Sequence, residues 1–522
     1  MKNKKKRILG LLLAAVMTVS MAAGCSKSGG SGSATGAKDS LVVATMSEPP
    51  SVGPYDHNAV AGDYVNNLVF ARLFRTDADL NPEPWLVDTY ENTSDTEWVF
   101  HLKQGVLFHD GSEMKAQDVV ASLEHAKTCP EVSFYAESVA TCEAVDDYTV
   151  KITTDGPSAT LLYDLCHHGN AILPKALLDQ GHDFGQEPIG AGPFRFVEWK
   201  RGDYLTFQAF EDYFGGAPAI KELTWKIIPE GSSRTIALEA GEIDMVIEVE
   251  AMDAERIEAN EELTLLKHDS TAITWLMLNN EKPGLDNENV RHAINTAINK
   301  DNVVTVALNG IGSPSISQTP RGMLGYSEEN ADVYDVAKAQ QWMDQSGVDP
   351  ASVELSIICS SDQKKRAGEV IQADLQQIGI NATIENMDLA TYLSATAEGN
   401  YTGAIGGYSS SDMVSYVLGV FHSKSIGASN KTRLNDPEVD ALIDQAAATI
   451  DNEARGKILE ELTAKLNIIC SQAPLYQDTY LRAYNANLEG VTINAGGYIP
   501  FEEIRWKEAK DSAPSITIGQ IP

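Results

Sequence analysis

Beyond its first 24 residues the sequence has no apolar run approaching the roughly 20 residues that cross a bilayer comfortably, so the body is expected to be soluble. Cations are scarce: 40 Lys and Arg stand against 74 Asp and Glu, for a formal charge of −34. A chain this acidic repels phosphate backbones, which excludes nucleic acid as a partner. Cysteine is scarce too, with six residues and no CxxC pair. Beyond Cys25 the five others, at 129, 142, 166, 359 and 470, are an odd number and cannot all pair. A Cys129 to Cys142 bridge stays open, but buried free thiols are the favoured reading. No P-loop, HExxH, GxSxG, complete GxGxxG or EF-hand spacing occurs, and no repeat of solenoid period. That silence lowers the prospect of an enzyme; a secreted hydrolase, with a triad assembled in space, is the remote rival.

The chain starts with Lys2, Lys4, Lys5, Lys6 and Arg7, then an apolar stretch from Ile8 to about Ala23, the order of a secretory signal. The step Ala22-Ala23-Gly24-Cys25 resembles the lipobox of bacterial lipoproteins, with Ala in place of the commoner Leu at its third position before the cysteine. Cleavage there would leave Cys25 as a lipidated N-terminus and bring the formal charge to −39. The Gly/Ser stretch "SKSGGSGSATGAKDS" that follows is a flexible tether.

About 480 remaining residues exceed what one core usually supports, so two or more lobes are expected. Leu41 to Ala44 opens the body as a strand. In "EWVFHLKQGVLFHDGSEMKAQDVVASLEHAK", Trp98, Phe100 and Leu102 alternate as one strand face. A turn at His109-Asp110-Gly111 follows, and apolar positions 116, 119, 120 and 123 then mark a helix. "GPFRFVEWKRGDYLTFQAF" reads as a hairpin, and "TWKIIPEGSSRTIALEAGEIDMVIEV" as strand, helix, strand. Leu263 to Asn279 is a long extended run. "NENVRHAINTAINKDNVV" reads as one helix with core positions 290, 293, 294, 297 and 298. A second α/β unit starts near Val353, and helices at about 437–450 and 452–468 precede the strand-like "APLYQDTYLRAY".

Seven landmarks in one order carry a resemblance: "NPEPWLVDTYE", "EWVFHLKQGVLFHDGSEMKAQDVVASLEHA", "PIGAGPFRFVEWKRGD", "EDYFGG", "ALEAGEIDMV", "WLMLNN" before "NENVRHAINTAINKDNVV", and "LNDPEVDALIDQA". Together they resemble the family 5 extracellular solute-binding proteins of ABC transporters, which include dipeptide, oligopeptide and nickel binders. The resemblance implies an α/β, two-lobed periplasmic-binding-protein-like fold (class II, cluster C) with mixed sheets. Two crossing strands, about Thr271 to Asn279 and Pro474 to Tyr484, would join the lobes. The division expected is 1–24 signal peptide, 25–39 lipidated cysteine and linker, 40–272 lobe I with an extra subdomain at about 73–191, 273–478 lobe II, and 479–522 a return to lobe I. It implies a carrier that is no enzyme, uses no cofactor or metal, and closes over a peptide or similar small solute at the lobe interface. Its partners would be ABC permease subunits and, through the lipid, the outer face of the cytoplasmic membrane; a monomer is expected. The long leash leans toward a Gram-positive surface, with a periplasm as the alternative.

Most landmark residues read as structural. His109 positions a turn, Gly192-Pro193 and Gly215-Gly216 supply special backbone, Asp244 makes an Asx-type bond, and Arg291 is an ion-pairing surface residue. For the solute, the family's peptide binders hold the N-terminal ammonium with an Asp that follows an aromatic. The matching stretch "GGYSSSDMVSYVLGVFHS" maps this role to Tyr408, Ser410 and Asp412. The same stretch reads equally as a helix start capped by Asp412. Dipeptide binders present an Arg before the "EVIQADLQQIG" helix; here "CSSDQ" has none and Arg366 comes only at about the helix start. In "DLCHHGNAILPK", His167 stands about where nickel binders carry an Arg that meets a chelate's carboxylates. On extended backbone His167 and His168 would point apart. Trp275 on the first crossing strand is either core or cleft wall. A nickel-chelate, glutathione or other small-solute carrier is the alternative within the class.

Overall fold

The structure, a computed structural model, describes residues 38–508; Cys25, the leader and most of the tether lie outside the described residues. Its spine is a mixed sheet of eleven strands. From one edge run Ala382–Asn386, Leu355–Cys359 and Gly403–Tyr408, paired in parallel, then two long antiparallel strands, Leu263–Leu278 and Gln472–Asn485. Beyond these the sheet continues through Met245–Val246, Ser40–Thr45, Glu222–Ile227, Tyr204–Ala209 and Phe194–Lys200. The short strand Ser313–Pro314 pairs on the side of Gln472–Asn485.

The two long strands reach into both lobes, each being 14 or more residues where the other strands of the sheet are two to seven. Their pairing slips between Asp269 and Ile273, where the first strand carries extra residues. A bulge of this kind bends and twists a strand pair. Gln477, fully buried, fills the gap: its amide donates to the carbonyls of Ser270 and Arg321 and its oxygen accepts from the Arg321 N–H at 2.9 Å. Thr271 N–H bonds Ala495 O at 3.0 Å.

In the second lobe the sheet is covered on both faces. Leu276 and Leu278 pack into one apolar cluster with Val290, Ile294 and Ile371, while Ile273, Trp275 and Met277 pack into another with Tyr416, Leu459 and Leu462. Burial on both faces explains why "WLML" is a continuous apolar run rather than an alternating one. In the first lobe a cluster around Leu41, Phe207 and Trp225 forms the main core. A separate cluster, from Ala71 to Ala191, underlies an antiparallel four-stranded sheet of Val87–Ser94, Glu97–Leu102, Thr149–Thr153 and Thr141–Ala144. There Trp98, Phe100 and Leu102 are buried and helix Ala116–Ala126 follows, as the alternation predicted. Because one sheet threads both lobes, the described residues from Asp39 on form a single packed unit.

Several sequence readings change. The expected single helix is two, Glu288–Ala297 and Lys300–Leu308, because Ile298 is extended and Asn299 caps the second through Asn302 N–H. Arg291 is no surface residue: it is buried, and its guanidinium donates to the carbonyls of Leu285, Ile469 and Cys470 at 2.8–3.1 Å. The carboxylate of Asp244 accepts from Val42 N–H, 202 residues away, and so ties its segment to the strand Ser40–Thr45. Gly192 serves close approach: a Cβ there would meet the Val69 carbonyl carbon at 2.5 Å. The five described cysteines are free, Cys129 and Cys142 included.

Candidate functional site

From the first lobe, short turns of the 71–191 segment bring aromatic and titratable groups to one place. Tyr135 lies in the 3-10 turn Ser133–Ala136 and stacks on the ring of His167, which precedes the 3-10 turn His168–Asn170. Because that segment is a turn and not a strand, the rings of His167 and His168 do not diverge but lie 4.2 Å apart. His168 is held by Asp63 at 2.8 Å through Nδ1 and faces the His57 carbonyl through Nε2. His167 accepts the Gly169 N–H, and burial, with His168 beside it, keeps its pKa well below the usual histidine value. It is a neutral, acceptor-type ring at physiological pH. Helix Leu161–Asp164 adds Tyr163 and the half-buried Asp164.

From the second lobe, strand Gly403–Tyr408 ends in Tyr408, and Asp412 starts helix Met413–Val420. The two readings of Asp412 prove compatible. One carboxylate oxygen caps the helix, accepting Ser415 N–H at 2.9 Å, and the other lies 3.5 Å from the Ser411 hydroxyl; the Ser415 hydroxyl and Val414 N–H also favour the charged carboxylate. Tyr408 packs edge-on to Tyr416 at 6.0 Å, and a Cβ at Gly419 would lie 2.8 Å from its hydroxyl, so glycine makes room for the phenol. Ser410 is half-buried in the loop between them. Trp275 sits deeper, 3% exposed and edge-on to Tyr416, as part of the core on which that aromatic group rests.

Electrostatics join the two sides. Burial, and next the Asp412 charge across from it among the forces raising it, push Asp164 up to about 7; the Ser138 and Thr160 hydroxyls oppose this. Burial likewise raises Asp412, although its cap bond and Arg455 hold it down. Two carboxylates are thus enclosed with hydrogen bonds but no ion pair among the described residues. Arg455, the nearest cation, spends its N–H groups on the carbonyls of Thr449 and Ile450 and on Asn452. The lobes touch here: Ala159 N–H bonds Ala447 O at 3.0 Å, and Leu80 and Ala159 join the second lobe's apolar cluster.

A cavity of 380 Å³ is lined by Glu248 from the first lobe, Gln363 and Arg366 from the second, and Asp478 to Arg482 of the second crossing strand, and includes neither Asp164 nor Asp412. A larger recess of 1040 Å³ lies against the four-stranded sheet, lined by Asp88, His101, Tyr148 and Phe214, and includes none of the groups above. One further cluster, His292, Asp332 and Cys470, has metal-ligating residue types. Both its ring nitrogens are used, Nδ1 on Asp332 at 2.6 Å and Nε2 on Ile468 O at 2.7 Å. Against the cost of burial, the bond to Asp332 and the neighbouring Cys470 push His292 up to about 10, so it is an imidazolium paired with a carboxylate and has no lone pair for an ion.

Residues 81–427 match the profile of bacterial extracellular solute-binding proteins, family 5. The chain belongs to that family. Its members are solute-binding proteins of ABC importers, transport proteins rather than enzymes, and work outside the cytoplasm. Heme-binding protein A of Haemophilus influenzae is 28% identical over 454 residues, 80% of this chain and 82% of that one. Glutathione-binding protein GsiB of Pectobacterium atrosepticum is 28% identical over 490 residues, 90% of this chain and 94% of that one. The structure of HbpA2 from Haemophilus parasuis superposes with a TM-score of 0.84 at 26% identity, covering 90% of this chain and all of the other. The two-lobed fold agrees with the resemblance read from the sequence.

Of the residues that the sequence nominated, Tyr408, Asp412 and His167 come to the groups facing each other across the lobes. Asp164, Tyr135 and Arg482 were missed. Asp164 had no motif around it. Arg482 did carry a signal, a charge alternating with Tyr476, Asp478 and Tyr480 in a strand-like run.

Proposed function

We propose that this family 5 protein is a lipoprotein, anchored through Cys25, that captures peptides and hands them to the permease of an ABC importer. The lobe boundary then falls at the slipped pairing between Asp269 and Ile273, and a monomer bends there. The observation that carries the reading is the pair of enclosed carboxylates Asp164 and Asp412, one from each lobe, which feel each other's charge and are held by hydrogen bonds without an ion pair among the described residues. An ammonium between two enclosed carboxylates relieves the cost of burying like charges, and only the closed form offers both. The solute therefore shifts the population toward closure. Tyr135, Tyr408 and His167 supply flat walls and acceptors around it. Glutathione, itself a peptide with a free ammonium, is the second reading, supported by the GsiB relative. No step of chemistry is needed; the solute leaves unaltered.

Native mass spectrometry of the purified protein should reveal a retained solute. Asp412→Asn keeps the cap, and should weaken free peptides about 10–100-fold while leaving N-acetylated ones nearly unchanged, a difference of about 1.4–2.8 kcal/mol by isothermal titration. Equal loss for both removes Asp412 as the anchor, and a converted product removes the carrier reading altogether.

A further inference from the structure

Away from the long strands, the lobes meet where helix Pro437–Ala448 ends and turns into helix Asn452–Ile469. The last carbonyls of a helix have no partner within it. Here that of Ala447 accepts the N–H of Ala159, from the first lobe, at 3.0 Å. The apolar contacts are reciprocal. Ile450, in the turn, packs against the cluster beneath the first lobe's four-stranded sheet, while Ala159 packs into the second lobe's cluster and is 8% exposed.

Both sides of this seam are held in shape. Arg455 fixes the turn by donating to the carbonyls of Thr449 and Ile450 at 3.0 and 2.9 Å, and Asp451 caps the following helix through Ala454 N–H at 2.8 Å. Opposite, helix Leu161–Asp164 starts two residues after Ala159. Burial raises its Tyr163 phenol, and Arg455 opposes this by its charge and a side-chain hydrogen bond reaching across the lobes. A third first-lobe residue, Leu80, joins the second lobe's cluster from a tight turn that holds it at φ 63°. A left-handed backbone costs free energy for a residue with a Cβ, and such strain persists only where the surroundings impose it. Here Asp77 imposes it, its carboxylate accepting the N–H groups of Asp79 and Asn81 at 2.9 and 2.8 Å.

We propose that this seam is a latch: the turn at Ile450 docks on the first lobe and holds the empty protein mainly closed before any solute arrives. None of Ala159, Ala447, Ile450 and Leu80 is a group assigned to the solute, so these contacts are made by protein atoms alone. What opposes them in the empty protein is the enclosure of two acids, Asp164 and Asp412, near the same seam. A cationic solute removes that opposition and leaves the latch in place, so it enters through brief openings and is then slow to leave. The proposal rests on hinge closure as the working motion, and not on the identity of the solute.

The test measures small-angle scattering of wild type, Ile450→Ser and Ala159→Pro, each dialysed until native mass spectrometry shows no retained solute. Hydrogen exchange at the Ala159 amide is followed in wild type and Ile450→Ser. Wild type should scatter as this closed structure does and should protect the Ala159 N–H. Loss of either contact should lower the ratio of closed to open protein about five- to tenfold, raising the radius of gyration and, in Ile450→Ser, the exchange rate, while the melting temperature moves little. An expanded wild type whose Ala159 amide exchanges freely overturns the latch, and so do variants that stay as compact as wild type. If either variant fails to fold, the other and the wild-type exchange decide. No ligand enters these measurements, so a failed latch leaves peptide capture standing, and failed capture leaves the latch standing.

Discussion

Arg291 and Arg482 are both nearly sealed from solvent, at 6% and 3% exposure, yet they differ in what they touch. Arg291 gives its donors to three carbonyls, two of them, Ile469 and Cys470, at the C-terminal end of helix Asn452–Ile469. A cation there satisfies groups that no helix can satisfy internally and meets the negative end of the helix dipole. Arg482 lies against a cavity with most of its donors unused. The carboxylates repeat the contrast: Asp332 is paired with an imidazolium, whereas Asp164 and Asp412 face each other. Residue type is the same on both sides of the comparison, and all but the half-buried Asp164 are buried; what differs is the completeness of partnering. A complete set accounts for a buried charge by structure alone, whereas an incomplete set calls for a further explanation, which the proposed solute would supply.

The largest effect expected from this contrast is on stability. Arg291→Ala leaves three carbonyls without their donor, at roughly 1–3 kcal/mol each, so urea unfolding should show a loss of at least about 3 kcal/mol. Arg482→Gln should lose less than half of that, and comparable losses would break the comparison. A smaller effect separates the two duties of Asp412. Asp412→Ala removes the helix cap and should cost about 1 kcal/mol, whereas Asp412→Asn preserves the cap and should change stability little; both should weaken binding of free peptides.

The smallest effect is a pH signature. Asp164, raised to about 7, holds a proton in the folded chain that the unfolded chain releases near 3.8. The folded state therefore binds more protons between these values, and its stability falls as pH rises through that window. Asp478, raised to about 6, adds in the same direction. His292, raised to about 10, contributes stability that is complete below 6.5 and is lost as pH climbs through 10. Melting curves of Asp164→Asn should thus lack part of the decline between pH 4 and 7 and keep the decline above pH 8. An unchanged profile would mean that Asp164 ionises normally and does not feel Asp412.

Much of the fold was legible because its signals are local. Trp98, Phe100 and Leu102 alternate, and Asp436-Pro437 opens a helix in both the sequence and the structure. The break at Ile298 was not legible: the apolar period runs on through it, and only the packing of two short helices requires the chain to turn there. The site was half legible. Asp412 stood in a recognisable segment, but a cap and a ligand anchor have the same sequence signature; the structure shows the cap, and the anchor is the proposal.

The sequence by itself determined the class, an acidic, two-lobed α/β body with extended runs read at Leu263 to Asn279 and in "APLYQDTYLRAY", because periodicity, turn residues and apolar runs act over a few residues. Only the tertiary structure decided which charges remain unpaired. Asp164 and Asp412 are 248 positions apart, and Tyr64 is 418 positions from the Arg482 it touches. Whether a buried charge has a partner depends on what the whole chain brings within about 4 Å of it, and no stretch of sequence carries that distance.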